Sequence, residues 1–88
     1  MTNLEKFRSG IDRIDKQLVK LLNKRAELAG KIGKFKIDHR LAIVDSQREE
    51  LILETVAASS KGPLTPGQVK RIFRTIIAVC RQLQNLTS

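Results

Sequence analysis

Eighty-eight residues are the length of one small domain, which excludes a cofactor domain standing beside a substrate domain. Hydrophobic residues at 41% and charged residues at 30% describe a globular chain, and with three Phe and neither Trp nor Tyr its core has to be aliphatic. A net charge of +8 points to an anionic partner, whether nucleic acid, acidic membrane or small polyanion, and the sign alone does not choose among them.

Apolar residues recur at Leu4, Phe7, Ile11, Ile14, Leu18, Leu21, Leu28, Ile32 and Phe35, with Arg25 occupying one position of the same seam. This alternation of three and four marks one amphipathic helix over roughly residues 3 to 38. Gly30 and Gly33 each weaken a helix by about 1 kcal/mol, but the period continues through them to Phe35. Residues 38 to 44 lose that period. Asp45 suits the N-cap of a second helix, with Leu51, Ile52, Thr55 and Val56 turned inward and an end near Ser59. Ser60 to Leu64 reads as a turn. Thr65-Pro66-Gly67-Gln68 then combines a Thr cap, a Pro at the first helical position and a Gln three residues past the cap, the clearest helix start in the chain. The third helix aligns Val69, Phe73, Ile76, Cys80 and Leu83, widened by Ile72, Ile77 and Val79. The fold class is therefore all-α, three helices with a very long first one.

A helix of about 35 residues is roughly 52 Å long, whereas a compact domain of this size has a radius of gyration of about 12 to 13 Å. Two shorter helices cannot cover the whole seam of the first. A second copy of the chain is the natural cover, so the expected assembly is an intertwined homodimer.

Arg25 stands where the seam calls for an apolar residue, and a guanidinium there needs an anion. That anion is either an internal carboxylate or a bound ligand, unless the side chain snorkels at the seam's edge. Lys36 lies about 20° around the helix from Arg25 and roughly 16 Å along it, so both cations reach one small ligand between them. Ala29, Ile32 and Gly33 suit a pocket wall there, or close helix packing. Arg8 is beside the seam but roughly 25 Å from Arg25, too far for one small ligand unless an antiparallel partner helix brings it back; by itself it reads as a solvated charge. Asp45, Arg48 and Glu49 share a face at the start of the second helix, where acidic residues also favour the helix dipole and pair with Arg48. Gln84 follows Cys80 by one turn at the edge of the apolar stripe, and by itself it reads as solvent-facing.

Other constellations are missing. One Cys excludes an internal disulfide, and one His leaves no zinc motif, so metal catalysis is not expected. His39 and Cys80 are too isolated to form a nucleophilic set. Gly30-Lys31-Ile32-Gly33 matches the glycine pair of KH domains but lacks the strands that module needs, and stacking aromatics are scarce. Met1 to Lys6 has no apolar signal core, and no run approaches a membrane span, so the expected location is cytoplasmic, with no membrane partner.

Together the pieces resemble the all-helical chorismate mutases of the shikimate pathway. The resemblance rests on Arg8, Ile11-Asp12-Arg13-Ile14-Asp15, Leu21 to Ala29 around Arg25, Ile32-Gly33-Lys34-Phe35-Lys36, Val44 to Glu49, Arg71-Ile72-Phe73, Ile76-Ile77 and Gln84. It covers nearly the whole chain. It implies a domain-swapped homodimer with two equivalent sites and the cofactor-free rearrangement of chorismate to prephenate, a step of phenylalanine and tyrosine biosynthesis. It further implies that Arg25 and the partner subunit's Arg8 bind the substrate carboxylates, Lys36 and Gln84 donate to the ether oxygen, and Arg48 supports a carboxylate. Glu49 would accept from the substrate hydroxyl near the Asp45 backbone, with Ile32 and Ile77 as apolar walls. Cys80 stands where relatives often carry Ser, so its backbone rather than its thiol would serve.

The expected function is a mutase standing alone, since 88 residues hold only the mutase. Two rivals are an isochorismate pyruvate lyase on the same fold and a basic helical nucleic-acid-binding module. The Asp45 to Glu49 motif looks more like the mutase, and nucleic acid has only the net charge in its favour.

Overall fold

The structure is a computed structural model that describes residues 2–86, with side chains described through Gln84. It consists of α1 (Asn3–Asp38), α2 (Ser46–Ser59) and α3 (Pro66–Leu86).

Each helix begins at a cap that its sequence supplies. At α1 the Glu5 N–H donates to Thr2 Oγ1 at 3.1 Å and the Thr2 N–H donates to Glu5 Oε2 at 3.2 Å, a reciprocal capping box. Asp45 caps α2 by accepting the Arg48 N–H at 3.0 Å. The expected box at α3 is present: the Gln68 N–H donates to Thr65 Oγ1 at 3.2 Å and the Thr65 N–H donates to Gln68 Oε1 at 2.9 Å. Ser60 Oγ donates to the Leu64 carbonyl at 2.7 Å and closes the preceding turn.

The long first helix passes through Gly30 and Gly33 without ending. Gly33 and Ala29 are its buried residues, and small residues there let the α3 backbone approach closely. Beyond Asp38 the Arg40 N–H donates to Ile37 at 3.1 Å and the Leu41 N–H to Lys36 at 2.7 Å, with Arg40 at φ 55°. This is the Schellman arrangement, with a non-glycine residue in its left-handed position. The C-cap His39 stacks on Phe35 at a centroid distance of 3.9 Å, and its Nδ1–H donates to the Phe35 carbonyl at 2.8 Å.

α3 packs on both other helices, whereas among the described residues α1 and α2 do not pack on each other. The core is correspondingly thin: Ala29 from α1, Leu53 and Ala57 from α2, and Val69, Ile77 and Cys80 from α3. Two expected faces need correcting. On α2, Leu51 and Thr55 point outward and Ile52 and Val56 are half-buried, because the contact with α3 is centred on Leu53 and Ala57. On α3, Ile77 is central rather than marginal, while Ile72 and Val79 are exposed.

The seam of α1 is bare over its length, from Leu4 and Phe7 through Ile14, Leu18 and Leu21 to Phe35. The chain measures 56 × 24 × 14 Å with a radius of gyration of 16.3 Å, against about 12 Å for a compact domain of this length. Among the described residues no helix is long and apolar enough to cross a membrane, and no cluster of His, Cys, Asp or Glu could hold a metal ion.

Candidate active site

Because α1 and α2 stand apart, the space between them is open and α3 forms its floor. The resulting cleft holds about 270 Å³. Arg25, Ile32 and Lys36 face it from α1, Asp45, Arg48 and Glu49 from the start of α2, and Ile77, Cys80 and Gln84 from α3. Leu28, Ala29, Ile43, Ile52 and Arg81 complete the lining. Two residues singled out for the site in the sequence are absent from the lining: Gly33 is buried within the helix packing instead, and Arg8 is exposed and, 17 positions before Arg25 along the same helix, about 25 Å away.

The cleft's polar groups divide by what already engages them. Asp45 is occupied in capping α2. Glu49 is held by Arg81, whose Nε donates to Oε2 at 3.0 Å and whose Nη2 donates to Oε1, a bidentate pair across the α2–α3 crossing. These hydrogen bonds and the carboxylate charge raise the Arg81 pKa above the ordinary arginine value. The expected pairing of Arg48 with neighbouring carboxylate side chains does not form, because the Glu49 carboxylate is turned to α3 and Asp45 accepts the Arg48 backbone N–H instead. Lys36 Nζ donates to the Ile43 carbonyl at 2.9 Å, which leaves an ammonium two further protons to give.

Arg25, Lys36 and Arg48 therefore line one cleft with no carboxylate pair among the described residues. For Arg25 this removes the internal salt bridge as the reason for a cation in the seam. Gln84 is half-buried at the cleft wall, not on the solvent side of α3, and Cys80 is a buried free thiol at the floor. Ile43 and Arg81 are lining residues that the sequence does not single out, and Arg81 is the charged one. Its signal was positional: it follows Ile77 by one turn and precedes Gln84 by three residues, which puts it on their face.

The fold and the cleft together define a class: an all-helical protein with an apolar-walled, cation-lined cavity. The family model for chorismate mutase type II matches residues 7–85, and the chain belongs to that family. It is 38% identical over 88 residues to the bifunctional chorismate mutase/prephenate dehydratase of Aquifex aeolicus, an alignment covering 96% of this chain and 24% of that protein. The chain thus spans a quarter or less of the length of the curated relatives it matches. Chorismate mutase (form II) from Thermus thermophilus superposes with a TM-score of 0.93 at 25% identity, covering 96% of both chains. Chorismate mutase from Helicobacter pylori, solved in complex with prephenate, superposes with a TM-score of 0.86 at 28% identity, over 96% of this chain and 91% of that one.

Proposed function

We propose that this chain is a chorismate mutase acting as a homodimer in the cytoplasm. The observation that carries the reading is the convergence of Arg25, Lys36, Arg48, Glu49 and Gln84 on one cleft in a chain of this family.

The rearrangement of chorismate to prephenate is unimolecular and pericyclic. It needs no nucleophile and no proton transfer, so a site accelerates it by holding the chair-like geometry and by donating to the ether oxygen as the C–O bond breaks. Arg25 receives one substrate carboxylate through its planar fork, and Arg48 supports the carboxylate end. Lys36 and Gln84 donate to the ether oxygen from α1 and α3 respectively. Glu49 accepts from the substrate hydroxyl near the Asp45 backbone, Ile32 and Ile77 supply the apolar walls, and the Cys80 backbone lies close to a carboxylate.

The remaining carboxylate contact is assigned to the partner subunit's Arg8. A bare seam on α1 favours burial against a second copy, and an antiparallel partner helix carries its N-terminal half across the open side of the cleft. The reading is tested by following chorismate absorbance with the purified protein. Loss of chorismate with prephenate as product is expected; no consumption overturns it, and release of pyruvate from isochorismate would assign the lyase instead.

A further inference from the structure

Resting on that reading, we propose that Arg81 is a positioning residue for substrate binding. It holds the Glu49 carboxylate against α3, so that this anion stays off the cations Arg25, Lys36 and Arg48 that the substrate's carboxylates need.

Glu49 lies in the first turn of α2, next to Arg48, with Arg25 and Lys36 lining the same cleft. A second cleft of about 320 Å³ shares Glu49, Ile77 and Arg81 and adds Ser46, Glu50, Leu53 and Arg74 on its own side. The Glu49–Arg81 pair is thus the partition between the two. Both carboxylate oxygens are engaged by one guanidinium, and a bidentate fork fixes the plane of the carboxylate as well as its position. Released from the fork, the carboxylate has three cations without a carboxylate partner among the described residues on the main-cleft side and only Arg74 on the other, so the local field draws it into the substrate's place. Neutralising one member of a three-cation receptor weakens its hold on a dicarboxylate. Held by Arg81, Glu49 keeps lone pairs for a hydroxyl donor without competing for those cations.

The test is a double-mutant cycle on the full chain, with chorismate as substrate. Arg81→Ala should raise KM about tenfold and change kcat by less than about threefold, the signature of lost binding. In the Glu49→Gln background the same removal should move KM by less than about twofold, because a neutral amide does not compete with the substrate. Arg81→Lys keeps the charge without the fork and should fall between parent and Arg81→Ala. An unchanged KM in Arg81→Ala, or an equal or larger rise in the Glu49→Gln background, overturns the proposal.

The pair is partly open to solvent, with side-chain exposures of 37% for Arg81 and 25% for Glu49, so the single variants should fold; if Arg81→Ala does not, the KM of Arg81→Lys against the parent decides. A readout without substrate is the ¹H–¹⁵N signal of the Arg81 Nε–H, expected to exchange slowly in the parent and rapidly in Glu49→Gln. Rapid exchange in the parent defeats the pair itself. A parent that consumes no chorismate defeats the proposed activity and this role with it, whereas an active parent with an indifferent Arg81→Ala defeats only the role of Arg81.

Discussion

Lys36 Nζ donates to the carbonyl of Ile43 at 2.9 Å, fastening the last turn of α1 to the loop that leads into α2. The backbone of Lys36 is tied to the same loop, since its carbonyl accepts from Leu41 at 2.7 Å. The ammonium is therefore preorganised at the cleft wall, and such a donor is worth most when charge develops on the oxygen it faces. Lys36→Ala should lower kcat by at least ~100-fold, as loss of one oxyanion donor does. Steady-state kinetics decide: a rise confined to KM would make Lys36 a binding contact only.

The turn that sets this geometry carries strain. Arg40 holds φ 55° in the Schellman position after α1, a conformation costing an L-residue roughly 1 to 2 kcal/mol. Glycine removes that cost but gives back about 0.4 to 1 kcal/mol through its freer unfolded chain. Arg40→Gly should therefore stabilise the fold by about 0.5 to 1 kcal/mol, seen as a rise of several degrees in Tm. An unchanged or lowered Tm would mean that the Arg40 side chain contributes more than its backbone costs.

Legibility in the sequence followed the strength of each local signal. The period from Leu4 to Phe35 and the Thr65 to Gln68 box gave α1 and the start of α3 nearly to the residue, because one apolar stripe and one reciprocal cap each admit a single register. In α2, Leu51, Ile52, Leu53, Val56 and Ala57 spread over more than half the circumference, so several inward faces were compatible with the pattern. Only the contact with α3 selects Leu53 and Ala57. Among cleft residues Lys36 and Arg25 were legible as neighbours on one helix. The Glu49–Arg81 pair was not, since it joins residues 32 positions apart whose meeting depends on how α2 crosses α3.

The bare seam makes its own prediction. Phe7 at 68% and Leu21 at 61% exposure are far more open than core positions on an amphipathic helix should be, and a second copy would bury them. Ile14→Asp places a charge at the middle of the N-terminal half of that seam. It should shift the chain from dimer to monomer in sedimentation and remove activity together with the dimer. A wild-type chain that sediments as a monomer at every concentration would leave the seam without this role.

If the site spans two chains, inactive variants should complement. Arg8→Ala and Arg25→Ala each damage both sites of their own homodimer. A mixed dimer has one site with both lesions and one with neither, so mixing the two inactive proteins should restore part of the parent activity, up to half in each heterodimer. Absence of recovery, with subunit exchange proven by labelled chains, would place Arg8 outside the site.

The pH dependence follows from which groups can change charge. Gln84 is a neutral amide with no proton to lose between about pH 6 and 9. Arg81 has its pKa raised by Glu49; its contribution is complete below the ordinary arginine range and is lost only as pH climbs through the still higher folded value, so it adds no slope near neutrality. The parent kcat should therefore be nearly flat from about pH 6 to 9. Gln84→Glu should not be, because a carboxyl group donates to the ether oxygen only when protonated and, once ionised, opposes the charge developing there. That variant should be most active at acidic pH and lose kcat as pH rises. A Gln84→Glu profile that runs parallel to the parent's would mean that the side chain at this position never meets the breaking bond, and the second donor to the ether oxygen would have to be sought elsewhere on the cleft wall.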